Sequence, residues 1–446
     1  EINTNNPSAS SDQFHYAFGN GNTSNNFLAK WRDPSAWMHI IWIWNSDEST
    51  GVDRLKFYVN GVNYVVNDTT YWYNRAGSPY PSSGEDSTFG KSGMVMQIGS
   101  YVYNNAEWYG GQMAEFIMID GAASYTDFGE FKNGVWIPKD PSGLTFGNNG
   151  FHLNFADAST PGNDVSGNNN DFANIGSIPA SATSGDSPTF SATDGNGGNF
   201  AILNSVSQQA GSTANRAASL SGGNLFQAFT NATTGCIGTM GFNSTSGGKW
   251  YWEVAITNYL AGLMPGIVND LQNLDAEFGY TSPGSPTGVD SCGYYIENGN
   301  VNPAGVGDGS GFQSYGSSVG AGDVMGIALD VDNGKIWFSK NGTFQNSGNP
   351  VTGANPARGA GGTITTAFDF SRNWFPAVAN WSASSATGIT YNFGQEGTFG
   401  GTKTAGGNAD TTGYGDFLYA PPTGFLALCT GNLPVADAID PAQTDD

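Results

Sequence analysis

Apolar residues along this 446-residue chain come in short runs broken by Gly, Asn, Asp and Ser. Residues 38–44 are apolar at nearly every position, the pattern of a strand buried on both faces. Residues 54–59 alternate instead, with Leu55, Phe57 and Val59 on one face. Asn60-Gly61 then supplies the positive φ angles of a tight hairpin turn before a return strand at 62–66. Further strands are expected at 94–99, 112–119 and 150–155. From 158 onward the chain turns polar and rich in Gly, Asn, Ser and Pro, which predicts a connection between domains.

Past that connection the strand pattern resumes. Residues 249–256 place Trp250, Trp252, Val254 and Ile256 on one face. A strand at 323–331 is followed by the turn Asp332-Asn333-Gly334, a return strand at 335–339 and a second turn at Asn341-Gly342. Strands at 374–378 and 388–393 complete the set, and no heptad or long amphipathic helix interrupts it. The fold class is therefore all-β, with two antiparallel β-sandwiches. The expected boundaries are a first sandwich at 1–157, a connecting segment at 158–219, a second sandwich at 220–434 and an acidic tail at 435–446.

Composition strengthens this picture. The 65 Gly favour tight turns between short strands over ion-paired helices. Fifteen Lys and Arg stand against 38 Asp and Glu, a net charge of -23 that repels a phosphate backbone and an anionic bilayer alike. Neither nucleic acid nor membrane insertion is expected. Cys236, Cys292 and Cys429 lie far apart without metal or redox spacing and read as buried small apolar residues. The chain begins Glu1-Ile2-Asn3-Thr4, with neither Met nor a signal-peptide pattern, so a processed product or part of a longer one is expected.

Three ordered blocks carry a resemblance. Gly248-Lys249-Trp250-Tyr251-Trp252-Glu253-Val254, the stretch from Gly326 through Asp332-Asn333-Gly334 to Phe338, and Trp374-Phe375-Pro376-Ala377-Val378 with Asn392-Phe393-Gly394 resemble a SPRY domain. That resemblance implies a bent two-sheet sandwich that binds protein partners and carries no catalytic residues. The first region, through Trp37-Met38-His39-Ile40, Lys56-Phe57-Tyr58-Val59 and Gly110 to Gly121, is similar to laminin-G or concanavalin A-like sandwiches. Only 36 residues precede that first block, so the first sandwich is expected to be incomplete on its N-terminal side. Taken with Gly134-Val135-Trp136-Ile137-Pro138, Asp164-Val165-Ser166-Gly167-Asn168 and Pro421-Pro422-Thr423-Gly424-Phe425, the whole chain resembles structural proteins of tailed bacteriophages. The resemblance implies a virion component, assembled in the host cytoplasm and exposed on the particle. Its implied partners are other virion proteins, copies of itself, and a host cell-surface glycan or protein.

Reactive chemistry fares poorly. Gly316-Ser317-Ser318-Val319-Gly320 fits a nucleophile pattern, but the only histidines are His15, His39 and His152, all before it. Glu253, Glu115 and Asp120 show no paired-acid spacing and read as solvent-facing carboxylates opposite buried aromatic faces. No catalytic or metal site and no cofactor is expected, although acidic Asn-rich loops around Asp157, Asp164 and Asp171 suit calcium. Candidate ligand-binding residues are the aromatics Trp72, Tyr73, Tyr101, Tyr103, Trp108 and Tyr109, whose rings can stack on a sugar, and Arg372 and Trp374. The segment 258–291 is expected to form a partner-facing loop. The expectation is a non-enzymatic binder, against a polysaccharide-degrading enzyme or a bacterial surface adhesin.

Overall fold

The computed structural model describes residues 2–3, 13–18, 23–27, 37–65, 72–74, 80–87, 96–99, 112–132, 134–157, 159–175, 178, 184, 186–187, 198–209, 218–229, 234–258, 262–271, 290–303, 311–380 and 387–433. It divides into two compact units, Glu1–Ser177 and Ile178–Asp446.

In unit 1 the strands are short: β1 (Ile2–Asn3), β2 (Gln13–Phe18), β3 (Thr23–Phe27), β4 (Ile40–Trp44), β5 (Leu55–Val59), β6 (Val62–Asn63), β7 (Trp72–Asn74), β8 (Phe116–Met118), β9 (Gly129–Lys132), β10 (Val135–Pro138) and β11 (Phe151–Leu153). They pair as β1-β2-β3-β7, β4-β5-β6, β9 with β10 and β8 with β11. The hairpin at Asn60-Gly61 forms as the sequence dictates, with φ of 47° and 74°. Leu55, Phe57 and Val59 are buried on one face of β5, packed with Ile40, Trp42 and Trp44. The strand expected at 112–119 shortens to β8, because Glu115 adopts φ 53° and breaks the extended path just before it. Residues 96–99 are not a strand, and 94–95 lie outside the described residues.

The segment expected to connect the domains belongs in large part to the units themselves. Asp164 accepts hydrogen bonds from the backbone N–H groups of His152 and Ser166 at 2.9 Å, and Asn168 and Asn170 donate to the Gly150 carbonyl, so the loop is fastened to β11. Farther on, residues 203–209 and 218–221 are strands of unit 2.

Unit 2 holds β12 (Leu203–Gln209), β13 (Ala218–Ser221), β14 (Phe226–Phe229), β15 (Thr234–Gly238), β16 (Lys249–Ile256), β17 (Leu263–Asn269), β18 (Ser291–Tyr295), β19 (Asn300–Pro303), β20 (Gln313–Ser314), β21 (Val324–Asp330), β22 (Lys335–Lys340), β23 (Thr343–Phe344), β24 (Trp374–Asn380), β25 (Thr387–Asn392) and β26 (Leu426–Ala427). One sheet runs β12-β15-β24-β17-β18-β19-β20, and the other β13-β14-β25-β16-β21-β22-β23, with β26 parallel to the start of β16. Trp250, Trp252, Val254 and Ile256 from one sheet and Ile267, Trp374 and Val378 from the other share one core, making a two-layer sandwich.

Two features depart from the sequence expectation. Within 258–291, residues 263–269 are the buried central strand β17, paired with β24 along its whole length, while 272–289 lie outside the described residues. Pro265-Gly266 hides this strand from pattern reading. Yet a Cβ on Gly266 would come within 2.1 Å of the Cys292 carbonyl, so glycine is what lets β18 approach. The ladder to β18 begins only at Gly266, so the N–H that Pro265 lacks is not needed there.

The second departure is Glu253, which is 0% exposed instead of facing solvent. The outer face of β16, β21 and β22 is covered by the stretch 394–430, a strap whose Phe417, Phe425, Ala427 and Cys429 pack on Tyr251, Ala328 and Trp337. Glu253 is the strap's anchor. Its carboxylate accepts the backbone N–H groups of Leu418 at 2.9 Å and Tyr419 at 2.8 Å, and the Tyr251 hydroxyl at 3.1 Å. Burial pushes its pKa up to about 7 against the pull of those donors.

Candidate functional site

The aromatic alternation of β16 and the almost fully buried run of β24 lock both strands into the core, which leaves the turns at one end of the sandwich to carry polar groups. Phe242 and Trp374 exchange backbone hydrogen bonds of 2.8 Å, and the Ser244 N–H donates to the Phe370 carbonyl at 2.7 Å, binding the turn 243–248 to the turn 369–373. Asn243 organises the first turn: its side-chain oxygen accepts from the Thr245 and Ser246 N–H groups at 2.9 Å, and its amide nitrogen donates to Asn373 at 2.8 Å. Asp369 organises the second by accepting the Ser371 N–H and hydroxyl, and the Ser371 hydroxyl holds the Asp369 carboxyl below its usual pKa range. The end of β17 joins them, since the Asp270 N–H donates to the Asn373 carbonyl at 2.9 Å.

Arg372 stands on this surface. Its side chain is 39% exposed and reaches Asp270 across 3.5 Å, a loose pair that leaves donors facing outward. Trp374 is different. It is 0% exposed, its ring packs edge-on to Phe368, and its indole N–H donates to the Asp369 carbonyl at 2.9 Å. Its ring cannot meet a ligand; it supports the turn from below. Trp72 and Tyr73 lie in β7, with side chains outside the described residues, as are Tyr101, Tyr103, Trp108 and Tyr109 altogether.

Beneath the turns lies a residue that pattern reading passed over. Arg358 is 1% exposed and forms a bidentate pair with Asp290 at 2.6 and 2.7 Å. A single Arg in the Gly-rich stretch Asn355 to Gly362 gives no local sign of burial, because its acid partner lies 68 residues away.

The other candidate chemistries are absorbed by structure. In the nucleophile-like pattern the serine position is Ser318, an exposed residue whose carbonyl accepts the Lys340 ammonium at 2.8 Å, and its neighbour Ser317 donates its hydroxyl and N–H to Gln345 at 3.1 Å. Asp157 accepts the N–H and hydroxyl of both Ser159 and Thr160, so this carboxylate caps its own turn. Among the described residues no group of three or more His, Cys, Asp or Glu side chains is arranged to hold a metal ion. The three cysteines are buried thiols without a disulfide, as expected, and burial pushes Cys236 and Cys292 up to about 12.

Residues 249–396, which span β16 to the start of the strap, match the SPRY domain family. The chain contains a SPRY domain. A crystal structure of a human SPRY domain is 18% identical over 37% of this chain and 90% of its own, with a TM-score of 0.26. The SPRY domain of human HERC1 is 16% identical over 37% of this chain and 87% of its own, also at a TM-score of 0.26. No curated protein matches the chain. The SPRY domain is a protein-binding module and lies within unit 2; its outer sheet face is sealed by strap residues that continue past the matched span.

Proposed function

We propose that this chain acts by binding, without making or breaking a bond, and that its SPRY domain meets a protein partner through the end formed by the turns 243–248 and 369–373 with Asp270. The observation that carries this is the contrast between the exposed Asp270 and Asn373 with the half-buried Asn243 and Arg372, all polar, and the rigid buried frame that holds them. Fixed polar groups on a well-packed base lose little freedom on binding, which is what a recognition surface needs. A non-enzymatic role is supported by the enclosure of Glu253, whose carboxylate is surrounded by hydrogen-bond donors and opens onto no cleft.

The test uses peptides selected from a random display library on the full chain. Arg372→Ala and Asn243→Ala should each weaken the selected peptides about tenfold, the scale of losing an interface anchor. Unchanged affinity in both variants would move the binding surface elsewhere.

A narrower reading assigns the chain to a bacteriophage particle, in contact with other virion proteins and copies of itself and displaying loops to a host surface. It rests on the sequence resemblance alone. Purified particles carrying the chain in symmetric copies would support it, and glycan binding unchanged in Trp72→Ala and Trp108→Ala would remove the sugar-recognition part.

A further inference from the structure

We infer that Arg358 is the positioning residue of the proposed binding surface, holding the largely exposed stretch 365–373 from beneath without touching a partner itself. The effect on binding rests on the function proposed above; the effect on the stretch does not.

A guanidinium has five N–H donors in a planar fork. In Arg358 each of them meets an acceptor. Nε donates to the Thr366 carbonyl at 3.0 Å; Nη1 donates to Asp290 at 2.6 Å and to the Ser291 carbonyl at 3.0 Å; Nη2 donates to Asp290 at 2.7 Å and to the Ala367 carbonyl at 2.9 Å. The Phe368 ring lies 4.1 Å from the guanidinium carbon. One side chain thus grips three consecutive residues, two through their carbonyls and the third through its ring, in a stretch whose positions 365–367 are exposed.

Arg358 is itself held at both ends. Its carbonyl accepts the Ile336 N–H at 3.2 Å, tying its backbone to β22 in one sheet, while its side chain reaches Asp290 and Ser291 at the entry to β18 in the other. Asp290 is fixed in turn, its N–H donating to Asn269 at 3.2 Å next to the surface residue Asp270. A displacement of Arg358 therefore reaches both flanks of the surface, Asp270 and Arg372. Lysine, with a single ammonium, cannot reproduce a five-donor fork.

The test is amide hydrogen exchange on the full chain carrying Arg358→Lys, read beside affinity for the selected peptides. Exchange at the Ser244, Ser291, Ile364 and Ser371 amides should accelerate about tenfold or more, while β16 amides keep their rates. Peptide affinity should fall with it, although Arg358 touches no peptide. Acceleration spread evenly over unit 2, or none at Ile364 and Ser371, would overturn the inference. If local exchange accelerates while peptide affinity holds, the stretch is positioned by Arg358 but is not the binding surface, and the positioning role in recognition falls. Should Arg358→Lys fail to fold, Arg358→Met with Asp290→Leu removes both charges of the pair together and permits the same comparison.

Discussion

Two buried charges in the SPRY unit are handled in opposite ways. Arg358 meets a carboxylate, three backbone carbonyls and an aromatic ring. Glu253 meets no cation among its hydrogen-bond partners; it accepts two backbone N–H groups and a tyrosine hydroxyl, with the Asn392 amide at 3.5 Å. The first arrangement sets its charge against an opposite charge through two short bonds of 2.6 and 2.7 Å. The second keeps a carboxylate in a dry place with dipoles alone, and burial lifts its pKa to about 7. The lesson is positional. The clamp at Arg358 secures a surface that faces outward, whereas the clasp at Glu253 seals a sheet face against the chain's own strap.

The comparison can be broken most severely at the strap. Ending the chain after Glu396 removes the cover from Tyr251, Ala328 and Trp337. Each large side chain uncovered costs roughly 1.5–3 kcal/mol, so a loss of about 5 kcal/mol is expected, on the scale of an entire domain's stability. Urea unfolding should show the shortened chain largely unfolded; a cooperative transition at the full-length midpoint would mean that the strap is ornamental.

A finer cut is Glu253→Gln, which sets an amide N–H2 against the backbone donors of Leu418 and Tyr419 and should cost about 1–3 kcal/mol. It also carries a pH signature. Because the folded-state pKa of Glu253 is raised, the folded protein holds a proton that the unfolded chain has already released. Its contribution is fully present below about 4.5 and is lost as pH rises through about 7. Unfolding of unit 2 followed across that window should show stability falling with pH, and the slope should flatten in the variant. Asp186, pushed up to about 6 by burial, gives a slope of the same sign that remains. His39, lowered to about 4 by burial in unit 1, acts in the opposite direction and belongs to a separate unit. A variant with the same slope as the parent would remove Glu253 from the account.

Gln227 sharpens the contrast by supplying a buried polar group with no partners. It is 0% exposed, points into the inter-sheet core from β14, and neither its amide nitrogen nor its oxygen is hydrogen-bonded among the described residues. Gln227→Met should raise stability by about 1 kcal/mol, since only desolvation is lost with the amide. A drop in the unfolding midpoint would reveal a partner at that carboxamide. The smallest effect is expected at the surface, where Arg372→Ala should change stability by less than about 0.5 kcal/mol, leaving any change in peptide affinity attributable to the contact itself.

Much of the architecture was legible because it is local. The turn residues Asn60, Asn341, Gly61, Gly334 and Gly342 all take positive φ where the sequence places hairpins, and β16 buries the aromatic face its alternation predicts. The site was legible only in part. Arg372 lies at the surface with its side chain 39% exposed, but its neighbour Trp374 was taken for a contact residue when its indole is core, and β17 was hidden by Pro265-Gly266 in a stretch read as loop.

What the amino-acid order determined by itself was where strands reverse and which face of each prefers the interior, since positive φ and alternation depend on neighbours only a few residues away. Tertiary structure alone decided that the second face of β16 is also buried, by a strap arriving 165 residues after Glu253, and that Arg358 is a clamp, by an acid 68 residues before it. A buried charge is defined by what surrounds it in space, and short-range pattern contains no record of those surroundings.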